Sequence, residues 1–225
     1  MSRLSNLSLL AALAACPLAA QGPVSPARAA EALRDVPVFI PMDANGTPVV
    51  ATPPGGGQPT VGLFLRRGSA EAFVANLKKS SPAMGKRVVI RAASLGNTLR
   101  IFQGKKDVGW SYVPDPDELA AARQLLASEG KPNEVPGVPV FLLKTADGGY
   151  LTFTEQGHTV VPGFLGIKEM NSFRARYQQS PGASATTVEV STLEVLVHLL
   201  NTSAEPLLAE LDIVPSSQAV TEARP

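Results

Sequence analysis

The chain has 225 residues with 20 basic and 19 acidic side chains, which gives a formal net charge of +1 at neutral pH. This balance argues against a nucleic-acid binder, because binding to phosphates requires an excess of basic residues. The single cysteine excludes an intramolecular disulfide and a metal site built from four thiolates. A hydrophobic content of 44% is sufficient for a folded core, and an aromatic content of 5% indicates that this core is mainly aliphatic.

The N-terminal segment has the pattern of an export signal. Arg3 precedes an apolar stretch from Leu7 to Ala20, which is too short to span a bilayer as a helix. Helix-breaking residues follow, and the small residues Ala27 and Ala29 form a site of the type that signal peptidase accepts. We therefore predict a signal peptide over residues 1–29, with cleavage after Ala29. No later segment is long and apolar enough to span a membrane, so we expect a soluble mature chain.

The same segment has an alternative interpretation as a lipoprotein signal. Residues 13–16 resemble a lipobox, in which Cys16 would become the lipidated first residue of the mature chain. Pro17 directly after the cysteine argues against lipidation, and the small-residue cleavage site lies just downstream. The intact mass of the natural protein separates the two forms, because lipidation at Cys16 adds acyl chains.

The most informative feature of the sequence is an internal duplication. The run VPVFI at residues 36–40 recurs as VPVFL at residues 138–142, and a turn signal follows each copy. Phe64 and Phe73 recur as Phe164 and Phe173. Apolar spacing predicts helices over Ser69 to Lys79 and Lys168 to Gln179, and each predicted helix precedes a strand-like run. Order, type and spacing agree over several elements, so we interpret the chain as two copies of one unit.

These elements predict an internally duplicated α/β (α+β) fold with two similar halves related by a pseudo-twofold axis. A domain over residues 30–214 would contain repeat one, about 35–130, and repeat two, about 137–214. Asp115, Pro116 and the following acidic residues predict the start of a connecting helix. We expect its equivalent in Glu194 to Leu200 or in Glu205 to Leu211. Residues 215–225 are polar and end in proline, so they are expected to form a flexible tail.

The sequence offers few groups for catalysis. His158 and His198 are the only histidines, and the chain contains no Gly-x-Ser-x-Gly nucleophile motif. We therefore predict no enzyme activity, no metal site and no cofactor. The alternative is an exported enzyme or small-ligand binder with a pocket between the two halves, using His158 with Glu155 or Glu169.

Basic residues occur in pairs in the first repeat. The pairs are residues 66–67, 78–79 and 86–87. Such pairs are typical of a solvated face, and less often they mark a surface for an anionic partner or a membrane.

Several short motifs together resemble the Tic22 family in its cyanobacterial periplasmic form. They are the export signal, the opening VPVF with its turn, the Phe64-Leu65 strand before a helix, Ser94-Leu95 after a strand, and the second copy GVPVF from Gly137. The resemblance spans roughly Asp35 to Leu200, and its weight lies in the order of the motifs and in the duplication.

The resemblance implies a soluble protein of the periplasm, or of the equivalent plastid intermembrane space. It also implies a protein-transport or chaperone role, in which hydrophobic grooves bind precursor or unfolded outer-membrane proteins and support protein import or outer-membrane biogenesis. Envelope translocation components would be further partners. We expect the groove among the predicted central and C-terminal helices, at Leu119, Leu126, Leu196 and Leu200. A structural role at the envelope is the third alternative, which lipidation at Cys16 would favour.

Overall fold

The computed structural model describes residues 27–52, 57–105, 107–131, 137–155 and 157–224, together with Val135. The predicted lipidation site at Cys16 and most of the predicted signal peptide lie outside these residues. The helices are α1 (Ala27–Ala32), α2 (Arg67–Ser80), α3 (Pro82–Gly85), α4 (Leu95–Phe102), α5 (Pro116–Ser128), α6 (Ile167–Gln178), α7 (Leu193–Thr202), α8 (Pro206–Ala209) and α9 (Ser217–Ala223). The strands are β1 (Pro37–Met42), β2 (Val50–Ala51), β3 (Thr60–Phe64), β4 (Val89–Ser94), β5 (Gly109–Val113), β6 (Pro139–Thr145), β7 (Phe153–Glu155), β8 (His158–Phe164), β9 (Thr186–Thr192) and β10 (Leu211–Val214).

Two five-stranded sheets repeat one topology, β1 to β5 in the first half of the chain and β6 to β10 in the second. In the first sheet, β1 is antiparallel to β3 and β4, and β3 is parallel to β5. In the second sheet, β6 is antiparallel to β8 and β9, and β8 is parallel to β10. Phe39 pairs with Phe64, and Phe141 pairs with Phe164. Residues that match in the sequence therefore occupy equivalent places, which confirms the duplicated α/β fold.

Helices α4 and α7 begin at equivalent points after β4 and β9. Ser94 Oγ and Thr192 Oγ1 each accept a hydrogen bond from the amide three residues later, at 3.2 Å and 3.4 Å. Such a side-chain oxygen satisfies an amide that the first helical turn leaves unpaired. Leu95 and Leu193 come directly after these caps and are fully buried. The matching residue pairs 94–95 and 192–193 thus mark the starts of two equivalent helices.

The hydrophobic core is layered. A central cluster combines the inner faces of both sheets, with members such as Val38, Leu63 and Val140. Each outer face has its own cluster, one around Phe39 and Phe64 and the other around Phe141 and Phe164. The rings of Phe64 and Phe73 are 5.4 Å apart, and those of Phe164 and Phe173 are 5.3 Å apart. The same aromatic pair thus joins a strand to a helix in each half.

Helices α5 and α9 are exchanged between the halves. α5 follows β5 of the first sheet but contacts β6 and β9 of the second, and α9 follows β10 of the second sheet but contacts β1 of the first. Ala122 of α5 packs in the cluster of Phe141, and Ala219 of α9 packs in the cluster of Phe39. Each outer face is therefore covered by a helix that the other half supplies.

This arrangement corrects the predicted counterpart of the connecting helix. Glu194 to Leu200 lies within α7, which corresponds to α4, and Glu205 to Leu211 contains only the short α8. The counterpart of α5 is α9, because both helices follow the last strand of a sheet. β5 and β10 were not predicted from the sequence. Without these strands, α9 could not be recognised as the counterpart of α5.

The C-terminal segment forms a packed helix, in contrast to the flexible tail predicted over residues 215–225. Ala219 is only 3% exposed. The amide of Arg67 donates to Glu222 Oε2 at 3.0 Å, and the amide of Ser217 donates to Glu169 Oε1 at 3.0 Å. The helix buries Ala219, packs Ala223 against the same cluster and makes these polar contacts, so its sequence has no strong apolar periodicity that would predict it.

Helix α1 packs between the two halves, against α4 and α7. Ala29 and Ala30 are each 1% exposed, and Arg28 donates a hydrogen bond to the carbonyl oxygen of Ser203 at 3.0 Å. An added Cβ at Gly96 would lie 2.0 Å from the carbonyl oxygen of Ala30, so α1 and α4 approach closely. The cleavage site predicted after Ala29 thus lies within a packed helix, and cleavage there stays a prediction.

Candidate functional site

The four leucines predicted to line a groove do not lie together. Leu196 and Leu200 of α7 are 1% and 2% exposed, and Leu126 of α5 is 6% exposed. Leu119 is half-buried at the start of α5. An open groove requires solvent-accessible side chains, and the three buried leucines instead contribute to the interior of the fold. The candidates for a binding surface are therefore the hydrophobic residues that remain exposed.

An exposed apolar surface lies at β2 and β5 of the first half. Val50 is 46% exposed and Trp110 is 37% exposed. Val50 pairs with Val61 on β3, and Val61 pairs with Trp110 on β5. Paired residues of adjacent strands project from the same face of a sheet, so the three side chains form a row. The Trp110 ring also stacks on Phe102, with 5.6 Å between the ring centroids. We call Val50 and Trp110 the Trp110 surface, and the buried Phe102 supports its indole ring.

The Trp110 surface lies at an open sheet edge. β5 pairs with β3 on one side, and no strand in the described part of the chain pairs with its other side. An edge strand presents unpaired amide and carbonyl groups that an added strand can bond. An open edge next to an exposed indole ring is suited to an extended polypeptide, which would gain main-chain hydrogen bonds and apolar contacts together.

The equivalent place in the second half is a partly covered recess. Val161 pairs with Leu211, as Val61 pairs with Trp110 in the first half. Helix α8 contributes Leu207 and Leu208 to the recess, which has a volume of about 240 Å³ including space open to solvent. All of its lining residues are hydrophobic: Leu142, Tyr150, Val161, Leu196, Leu207, Leu208 and Leu211. We call it the Leu211 recess; of the four predicted groove leucines, it includes only Leu196.

Sequence reasoning missed Val50 and Trp110. The segment from Val108 to Val113 alternates apolar and polar side chains, which is the available signal for a strand with one face toward the core. Exposure of the indole ring could not be read from this alternation, because it depends on tertiary cover, and the residues described between α4 and β5 form no helix like α8.

A second cavity lies between the two halves, with a volume of about 350 Å³ including open solvent. Leu65 and its equivalent Leu165 line it, together with Arg66, Asp115 and Glu118. An Arg66 guanidinium nitrogen lies 2.5 Å from a carboxylate oxygen of Asp115.

Glu118 Oε2 accepts a hydrogen bond from the amide of Ile167 at 2.8 Å. Burial raises the pKa of Glu118, although this hydrogen bond opposes the shift. Glu118 thus links the two halves, whereas Asp115 pairs with Arg66 within the first half.

The residues of the predicted enzyme alternative do not converge on this cavity. Glu155 and His158 are register partners on the β7–β8 hairpin, whereas Glu169 accepts hydrogen bonds from Ser217 at the start of α9. None of the three lines the cavity. Within the described residues, no group of three or more histidine, cysteine, aspartate or glutamate side chains is placed to hold a metal ion.

Among the described residues, none of the helices combines the length and the apolar character that crossing a bilayer requires. The fold and its surfaces define a class: an internally duplicated α/β protein with apolar surfaces at equivalent places in its two halves. The model of the Tic22-like family matches residues 4–224. The chain therefore belongs to the Tic22-like family, as the sequence motifs indicated.

Known proteins support this assignment in sequence and in fold. The chain is 30% identical over 120 residues to the chloroplastic protein TIC 22 of Arabidopsis thaliana, a match that spans 52% of this chain and 43% of that protein. The structure of Tic22 from Anabaena, described as a protein of protein transport, superposes with a TM-score of 0.74 at 23% identity, over 90% of this chain and 99% of that one. Tic22 from Plasmodium falciparum superposes with a TM-score of 0.68 at 17% identity, over 86% and 94% of the two chains.

Proposed function

We propose that this protein is an exported transport factor or chaperone that binds precursor or unfolded polypeptides in the periplasm, without catalytic chemistry. The clients would be outer-membrane proteins or other exported precursors, held in an extended form. The observation that carries this proposal is the Trp110 surface, where Val50 and Trp110 are 46% and 37% exposed beside the open edge of β5.

The chemistry of this surface fits a client that has not folded. Unfolded chains expose apolar side chains and unpaired main-chain groups, and the Trp110 surface offers partners for both. The indole ring provides a large apolar contact with few rotatable bonds, so binding costs little side-chain entropy. Recognition of this type depends little on sequence, which suits a protein with several clients.

The cellular place proposed here follows from the N-terminal sequence and the family. Arg3 and the apolar stretch to Ala20 have the pattern of a signal for export. The Anabaena relative is described as a protein of protein transport, and the Arabidopsis relative is chloroplastic. We therefore propose the periplasm of a cyanobacterium as the location, which agrees with both relatives.

The test is suppression of the aggregation of an unfolded outer-membrane protein by the purified protein, measured by light scattering without nucleotide. We expect suppression to rise with the ratio of protein to client. Trp110→Ser should weaken suppression several-fold, because it removes the indole ring and leaves the backbone of β5 in place. Ser111→Ala is the matched control, since it changes the neighbouring exposed residue on the same strand without removing an apolar contact.

Circular dichroism and thermal unfolding of both variants establish that they are folded. Equal suppression by the parent and Trp110→Ser would exclude the Trp110 surface as the binding site. Absence of suppression by a well-folded parent protein would contradict the chaperone proposal itself.

A further inference from the structure

Positive charge is concentrated in one part of the first half. Residues 72–106 contain eight basic side chains and no aspartate or glutamate. The corresponding stretch of the second half, residues 172–206, has two basic and three acidic side chains. The whole chain has a formal net charge of only +1, so this segment is balanced by acidic residues elsewhere. The two halves share a fold but differ in the sign of the net charge of this region.

The structure brings four of these cations, the pairs 78–79 and 86–87, to one end of the first sheet. Helix α3 packs against the last turn of α2, where an added Cβ at Gly85 would lie 2.6 Å from the Cα of Lys78. This close approach places the end of α2 beside the start of β4. These four side chains are exposed, and so is Arg91, which makes five exposed cations, although Arg91 projects from the face of β4 opposite to the one that α2 covers.

These cations are not neutralised within the described part of the chain. Ion pairs there involve other basic residues, such as Arg34, Arg66 and Lys144, and none of the five. The second half has an acidic residue at the position equivalent to Arg91. Arg91 pairs with Ile40 across the strands, and Glu189 pairs with the equivalent residue Leu142.

Glu189 in the second half is fully engaged. Its carboxylate lies 2.5 Å from Lys144 Nζ and accepts a hydrogen bond from the Tyr150 hydroxyl at 2.8 Å. The bridge partners Lys144 and Tyr150 correspond to Met42 and Pro48 in the first half, and neither of these carries a charge. The first half therefore leaves its cation at this register position without a partner among the described residues.

Exposed hydrophobic side chains lie among these cations. Met84 of α3 is 54% exposed, and Val89 at the start of β4 is 45% exposed. Met84 lies in the chain between the pairs 78–79 and 86–87. We call Lys78, Lys79, Lys86, Arg87 and Met84 the Met84 surface, and Val89 and Arg91 border it on the other face of β4.

We propose that the Met84 surface docks the protein on an anionic lipid bilayer. A phospholipid surface offers negative headgroups to these four cations, and its boundary with the acyl chains accepts the exposed side chain of Met84. The proposal does not rest on client binding, because the Trp110 surface and the Met84 surface use different residues. The contact would be peripheral and reversible, since it depends on side chains at the end of the sheet.

Charge and apolar exposure together favour lipid over an acidic polypeptide as the occupant. Each basic side chain near an anionic bilayer contributes a factor of about fivefold to the partition coefficient, and the contributions weaken as salt increases. An acidic polypeptide would use the cations but has no general need for the exposed Met84 side chain. Binding to anionic vesicles and binding to soluble polyglutamate distinguish the two occupants.

The experiment measures co-sedimentation of the purified, exported form of the protein with phosphatidylcholine vesicles that do or do not contain phosphatidylglycerol. We expect binding only to the anionic vesicles, and weaker binding as salt is raised. Replacement of Lys78, Lys79, Lys86 and Arg87 by glutamine should reduce the partition coefficient at least a hundredfold. Met84→Ser should reduce it several-fold without changing the net charge.

The matched control replaces by glutamine four exposed basic residues that lie on α5, just after α5 and on α6, away from the Met84 surface: Arg123, Lys131, Lys168 and Arg176. This control removes the same net charge and should retain most of the binding. Equal losses in the two quadruple variants would overturn the proposal, because net charge alone would then explain the binding.

Binding to soluble polyglutamate that disappears in the first quadruple variant, with no binding to anionic vesicles, would overturn the lipid proposal and assign this surface to an acidic polypeptide. The absence of binding to anionic vesicles by folded parent protein would also overturn it. Thermal unfolding of each variant shows that it is folded. Aggregation suppression by the same variants shows whether client binding is retained, so failure of one proposal is distinguishable from failure of the other.

Discussion

The two halves share a topology, but they differ in what covers their equivalent surfaces. In the second half, α8 partly covers the inner face beside Val161 and Leu211, and the 13-residue α5 covers the outer face. In the first half, Trp110 remains exposed, and the outer face is covered by the seven-residue α9. Duplication has thus preserved the sheets while the covering helices have diverged. The open half is where we place both proposed binding surfaces.

The largest expected effect compares equivalent phenylalanines. Phe39→Ala and Phe141→Ala each remove a fully buried ring and should lower the free energy of unfolding by about 3–5 kcal/mol. We expect the larger loss for Phe141, because its buried neighbours include Leu143, Leu151 and Met170, whereas Phe39 has smaller neighbours such as Ala70. Urea unfolding of both variants measures the difference. An equal or larger loss for Phe39→Ala would show that the cluster of Phe141 is no better packed than the cluster of Phe39.

The next effect tests the cover of the first half. Deletion of residues 216–225 removes Ala219 from the cluster of Phe39 and removes Glu222, which pairs with Arg66 and accepts from the Arg67 amide. We expect a loss of about 2 kcal/mol from reduced apolar burial and lost hydrogen bonds. Gln218→Ala is the control within α9. An unchanged urea midpoint for the deletion would contradict the role assigned to α9.

A smaller effect concerns α1, which packs on both α4 and α7. A chain that begins at Ala30 lacks Ala29 and the hydrogen bond from Arg28 to Ser203 that a chain beginning at Ala27 retains. We expect the shorter chain to be about 1 kcal/mol less stable to urea. N-terminal sequencing of the natural protein then shows which form occurs. Equal stability of the two chains would remove the structural argument against cleavage after Ala29.

The smallest effect tests the contact between the halves at Glu118. Burial raises the pKa of this carboxyl above its ordinary value of 4.5. The folded state therefore binds its proton more tightly than the unfolded state, and this group lowers stability as pH rises through that range. Glu118→Gln retains an acceptor for the Ile167 amide without the buried charge.

The melting temperature of Glu118→Gln relative to the parent should therefore increase from acidic to neutral pH. The exposed substitution Glu71→Gln is the control for a general change in charge. A constant difference across this pH range would exclude titration of Glu118 as its cause.

The sequence predicted the repeated part of the fold because repetition itself carries the signal. Phe64, Phe73 and their equivalents aligned at one spacing, and the structure places each pair in the same ring contact. The sequence could not predict α9, since this helix buries a single alanine and depends on Glu169 and Glu222 contacts with distant residues. Local pattern is a weak signal when stability comes from long-range polar contacts.

The candidate surfaces were less accessible to sequence reasoning. Leu196 and Leu200 were predicted to line a groove, but both are buried on the side of α7 that packs against α1 and α8. Trp110 was not predicted as a site residue, because the exposure of its indole ring depends on whether another element of the fold packs over it. The basic pairs 78–79 and 86–87 were noted in the sequence, but only the packing of α3 on α2 shows that they share one surface.

The exchange of α5 and α9 has a consequence for the order in which the chain folds. Phe39 near the N-terminus stays without its full cover until α9, ending at Ala223, is available to pack on β1. Contacts between such distant parts of a chain form late, because closing a long loop is entropically costly. A chain delivered with its N-terminus first therefore cannot complete the cover of its first half until α9 is available.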